Sequence, residues 1–116
     1  MDGVLEERWR QAVVELDGCI GPLVEGGPAV LREGGPYPGS WIESTGSISA
    51  EVLARFAPDV AQNTFEQFAM GQRDDGLIPY KVTADGTAFS QIQIVTPLAR
   101  SVWHHYLLTG RDGLFL

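Results

Sequence analysis

The sequence holds one cysteine, Cys19, among 116 residues, which excludes an intramolecular disulfide and implies no oxidising compartment. No histidine or basic neighbour in the sequence activates its thiol, so Cys19 reads as a small apolar core residue. Basic residues are scarce. Eight Lys and Arg face 15 Asp and Glu, and the resulting net charge of -7 opposes phosphate backbones and anionic lipid surfaces. Neither nucleic acid nor a membrane is therefore an expected partner. No apolar run approaches the roughly 20 residues of a membrane span. Met1 to Arg10 carries three acids, two arginines and no apolar stretch, unlike a secretory signal, which favours the cytoplasm. Metal and nucleotide signatures are missing too. His104 and His105 are adjacent, so on a helix they point about 100° apart rather than forming an i, i+4 metal pair. The glycine pairs at 26–27 and 34–35 lack the strand and helix context of a phosphate loop, and the serines lack a nucleophile-elbow setting. No cofactor or metal is expected.

What remains is 44% hydrophobic, enough for one small domain with a modest core. From Gly3 to about Asp17, Leu5, Trp9, Ala12, Val13 and Leu16 recur at helical spacing, with Trp9 expected as the core anchor and Gly18 as the stop. Gly21 to Gly39 concentrates glycine and proline and reads as a long, ordered loop. A helix is expected over Ser47 to Phe56, capped by Ser47 or Ser49. Pro58 opens a second helix running to about Gly71, and the two form a helical hairpin. A short β-hairpin around residues 80–94 turns at Asp85-Gly86. Thr96 and Pro97 start a last helix that Gly110 follows, and the apolar end Gly113 to Leu116 reads as a chain cut before its next helix. The expected fold class is all-α, with residues 1–116 forming a single partial domain of helical hairpins.

The residues able to carry chemistry lie in the loops. Glu43 sits between Trp41 and a helix start, in a stretch whose glycines admit a close ligand. An indole face packs against a sugar ring, and glycoside chemistry needs paired carboxylates. Asp75 is a second acid, although Asp75-Gly76 reads equally as a turn in which the carboxylate bonds its own backbone. Gln91 and Gln93 alternate with isoleucines, so in an extended segment both amides share one face suited to hydroxyls.

Three motifs in order carry a resemblance: Tyr37-Pro38-Gly39-Ser40-Trp41-Ile42, then Gln72-x-x-Asp75-Gly76-x-x-Pro79, then Trp103 to Gly110 with Arg111-Asp112. Together they resemble the six-hairpin (alpha/alpha)6 toroid glycosidases, which include glucoamylase-like, trehalase-like and debranching enzymes. Leu77-Ile78-Pro79 after the second motif separates it from the terpene-cyclase toroids, where an aromatic residue follows. Glu43-Ser44 stands where many relatives carry Arg-Asp. The resemblance implies an N-terminal piece of a glycoside hydrolase acting on a carbohydrate, with Tyr37, Trp41, Asp75, Gln91 and Gln93 at the substrate rim and Glu43 as the catalytic candidate. A toroid needs about twelve helices, so the general acid and base would lie beyond Leu116. The chain alone would be inactive and its free helix faces would self-associate. The competing expectation is a non-catalytic helical interaction or carbohydrate-binding module.

Overall fold

The computed structural model describes residues 2–91 and 98–111. Helix α1, Gly3–Cys19, begins where the Asp2 carboxylate accepts the Leu5 N–H at 2.9 Å, satisfying one of the orphan donors of the first turn. The chain then makes two short strands, β1 (Ile20–Gly21) and β2 (Val30–Leu31), paired antiparallel with Ile20 opposite Leu31. Strand β3, Gly39–Trp41, leads without a break into α2, Ile42–Ile48. A π-helical turn, Ser49–Leu53, and the short α3, Ala54–Phe56, continue the same helical run. Pro58 opens α4, Pro58–Met70. Strands β4 (Lys81–Thr83) and β5 (Gly86–Ala88) add to β3 in an antiparallel sheet of order β3-β4-β5, and α5, Leu98–Thr109, closes the described chain.

This architecture corrects the all-α expectation. The described residues form a mixed α/β unit, about 55% helical, with two antiparallel sheets of two and three strands. The stretch from Gly21 to Gly39, expected as a loop, supplies strand residues to both sheets. Its strands are too short for an alternating pattern to be legible, and their stability comes from partners far along the chain. Gly39 shows how close that pairing is: a Cβ there would lie 2.2 Å from the Val82 carbonyl oxygen. The hairpin expected at residues 80–94 is present as β4 and β5, but its two-residue turn is Ala84-Asp85, one position before the expected Asp85-Gly86, since Gly86 already pairs with Thr83. It forms two strands of a three-stranded sheet, and residues 92–94 lie outside the described residues. The expected cap Thr96, the helix opener Pro97, and the apolar end Gly113 to Leu116 lie outside the described residues.

Helix boundaries move as well. The second helical run starts at Ile42, five residues before Ser47, with no side-chain cap, because the Ile42 N–H is taken by the Tyr80 carbonyl at 2.9 Å. Sheet pairing thus performs the capping that was assigned to a serine. At the far end of the chain Gly110 adopts φ 67 and donates its N–H to the Tyr106 carbonyl at 2.7 Å, the left-handed helix stop expected of glycine.

The core lies between α4, the π-turn and β2. Leu31, Ala50, Leu53, Ala61 and Phe65 form one buried cluster. A buried polar chain ties the layers together. The Leu31 N–H donates to Thr64 Oγ1 at 2.9 Å, Ser40 Oγ donates to the Leu31 carbonyl at 2.6 Å, and Gln67 Nε2 donates to Ser40 Oγ at 2.8 Å. Helix α1 touches this core only at its C-terminal end, through the partly buried Leu16 and Cys19. None of its residues is buried, and Trp9, expected as an anchor, is 57% exposed. Cys19 is only partly buried and packs at the edge of the cluster.

Candidate functional site

Tyr37 and Trp41 are brought together by the turn that precedes β3. Gly34 bridges back to Tyr37, and the two rings meet edge to face with centroids 5.3 Å apart at 75°. Trp41 pairs across the sheet with Lys81, the chain's one lysine, whose ammonium lies 5.3 Å from the indole centroid and 5.8 Å from that of Tyr80. The indole is therefore already engaged by the Tyr37 ring and the Lys81 ammonium, and Tyr37 is the more exposed of the two aromatics. Beside them Ser44 Oγ donates a very short hydrogen bond to the Glu33 carboxylate, and Thr45 Oγ1 donates to the Trp41 carbonyl at 2.7 Å.

Glu43 does not join this group. In the first turn of α2 it lines a separate open recess of about 250 Å³ with Ser47, Glu51, Arg100, Ser101 and His104. That recess holds two carboxylates and, from α5, a guanidinium and an imidazole. Among the described residues it contains none of the others expected at a sugar rim. Asp75 is engaged elsewhere. Its carboxylate pairs with the Arg73 guanidinium and accepts the Leu77 N–H at 3.1 Å, while Gln72 Nε2 donates to the Gly76 carbonyl at 2.7 Å. The hydrogen bond from Arg73, helped by the Leu77 N–H, holds the Asp75 carboxyl below the usual carboxylate range. With Gly76 at φ 89, Gln72-x-x-Asp75-Gly76 is a self-bonded turn. Gln91 is exposed, and Gln93 lies outside the described residues.

The feature that sequence reasoning missed is apolar. One wall of α1 (Trp9, Ala12, Val13 and Leu16) faces Val52, Leu53 and Phe56 across a groove of about 470 Å³ that is almost wholly apolar. Phe56 is 74% exposed at its rim. The helical stripe of α1 was legible in its spacing. That the fold leaves the stripe half-open was not, because the π-turn and α3 approach it from one side only. Among the described residues no group of three or more His, Cys, Asp and Glu could hold a metal, and no helix is long and apolar enough to cross a membrane.

Comparison with known proteins finds no matching family model, no matching curated protein and no matching solved structure. The glycosidase resemblance rests on its motifs alone.

Proposed function

We propose that this chain is a non-catalytic interaction module that takes an amphipathic, basic helix of a partner protein into the groove between α1 and α3. The observation that carries the reading is a 17-residue helix with an apolar stripe and no buried residue, facing an equally exposed Phe56. Apolar surface of this extent on a small domain marks a docking site, and a helix laid in a groove through i, i+3, i+4 and i+7 anchors is the recognition mode that matches it. The net charge of -7 favours a basic partner over a second copy of the same acidic chain.

The test uses a designed peptide of about 18 residues with leucines on one helical face and lysines on the other. Intrinsic fluorescence is followed with Trp9 present and with Trp9→Phe, so that the signal is assigned to the groove. Saturable binding that Val13→Asp or Phe56→Asp abolishes supports the reading. Binding unaffected by both substitutions refutes it.

One observation favours a second reading, a piece of a glycoside hydrolase acting on a carbohydrate: Glu43 and Glu51 share a recess with Arg100 and His104, and glycoside hydrolysis needs two carboxylates. Under this reading Glu43→Gln in the longer enzyme abolishes hydrolysis of an aryl glycoside while leaving the melting temperature nearly unchanged. Equal activity in that variant rejects it.

A further inference from the structure

Helix α5 buries only two side chains, Ser101 and His105, and both are polar. Leu98 and Val102 pack partly against the core cluster, whereas Trp103, Leu107 and Leu108 are exposed. A helix held this way gains little from excluding water, so its attachment depends on the state of its buried polar groups. At Ser101, α5 approaches α2 closely: a Cβ on Gly46 would lie 3.9 Å from Ser101 Oγ. One turn further on, His105 is enclosed edge-on to Phe65, with ring centroids 5.4 Å apart. Neither Nδ1 nor Nε2 has a hydrogen-bond partner among the described residues. Ser49 Oγ, which opens the π-turn on which α5 packs, is buried and unpartnered as well.

A neutral imidazole can sit in such a place as a nearly apolar ring. The imidazolium cannot, because it brings a charge and two N–H donors into a site where neither ring nitrogen has an acceptor among the described residues. The charged groups on the elements around it do not compensate. Asp59 on α4 is held by Arg111 at 2.6 Å, and Glu66 on the same helix accepts from Gln62 at 2.9 Å. Glu43 of α2 and Glu51 of the π-turn line the open recess with Arg100 and His104, and α3 carries Arg55. Arg111 is the described group that acts on the imidazole through space, and it is a cation.

We infer that α5 is a proton-released latch: protonation of His105 detaches α5 from α2, the π-turn and α4 and uncovers the Phe65 side of the core. Burial first, and the Arg111 charge second, push the His105 imidazole below its ordinary value. The detached helix therefore takes up its proton near the ordinary value of about 6.5, before the docked helix does. Docking is complete above that pH and weakens as pH falls toward the docked-state value, by up to about tenfold in the docking equilibrium per pH unit.

Hydrogen exchange on the full chain at about pH 7 and about pH 5, corrected for intrinsic rates, reads this equilibrium directly. The expected result is a loss of protection over Trp103 to Leu108 of up to about tenfold per pH unit below about pH 6.5, with Ala61 to Phe68 of α4 keeping theirs. His105→Leu removes the titrating group and is expected to make α5 protection independent of pH. Should that variant not fold, the His105 imidazole signals of the unaltered chain decide. His105 is then expected to take up its proton below the ordinary imidazole value of about 6.5, together with the loss of α5 protection. Unchanged α5 protection between the two pH values overturns the latch, as does simultaneous loss over α4 and α5.

Discussion

Thr64→Val isolates the polar chain that holds β2 against α4. Thr64 and Leu31 are both fully enclosed, and the Thr64 hydroxyl has two tasks: it donates to the Val60 carbonyl at 2.7 Å and accepts the Leu31 N–H at 2.9 Å. Valine keeps the β-branched shape and nearly the same volume, so no cavity opens. The Val60 carbonyl retains its helical backbone bond. The Leu31 N–H, by contrast, is left buried without an acceptor, which costs about 1–3 kcal/mol. For a chain of 116 residues with an unfolding entropy of about 2.1 cal/mol/K per residue, each kcal/mol moves the melting temperature by about 4 °C. The expected fall is about 4–12 °C, measured by thermal unfolding followed by circular dichroism. Thr64→Ser is the control, since it keeps the hydroxyl and loses only a methyl group, at about 0.5–1.5 kcal/mol. A valine variant melting within about 1 °C of the parent, or a serine variant less stable than the valine one, refutes the reasoning.

Other expectations are as direct. Phe65→Ala removes the largest ring of the buried cluster and is expected to lower stability by about 3–5 kcal/mol in urea unfolding. Gly39→Ala forces β3 away from the Val82 carbonyl, so destabilisation should come with an altered Trp41 emission as the Lys81 contact is lost. Asp59→Asn breaks an ion pair whose acid is largely exposed, and a change of no more than about 1 kcal/mol is expected. Stability should be highest above about pH 6.5 and decline as pH falls toward the depressed value of His105, with the urea midpoint as the readout. A midpoint that rises on acidification over that window contradicts the assigned sign.

The parts of the fold legible in the sequence are those with a local cause. Helix α1 follows from its three-and-four spacing, α4 from Pro58 at its start, and the end of α5 from Gly110 in a left-handed conformation. The turn at Asp75-Gly76 was readable because the Asp side chain bonds a backbone two residues away. The hairpin of β4 and β5 was readable from its turn residues, but strands β1, β2 and β3 were not. Two or three residues carry no period, and β3 is stabilised by Lys81 to Thr83, about forty residues downstream. The start of α2 was misplaced for the same reason, since its first N–H is satisfied by Tyr80 rather than by a serine nearby. Among the site residues, Tyr37 and Trp41 meet as their closeness in sequence allowed. Glu43, two positions from Trp41, lines a different recess because a helix begins between them and rotates it away.

By itself the sequence determined the periodic helices, the acidic surface and the glycine and proline punctuation, because each follows from interactions within a few residues or from net charge alone. Only the tertiary structure decided which apolar faces are covered. Trp9 and Phe65 both lie on helical stripes, yet Phe65 is sealed by the π-turn and α5 while Trp9 borders an open groove. Burial depends on which elements happen to pack opposite a face, and that is settled by long-range pairing such as β3 with β4 and Thr64 with Leu31, not by the face's own residues.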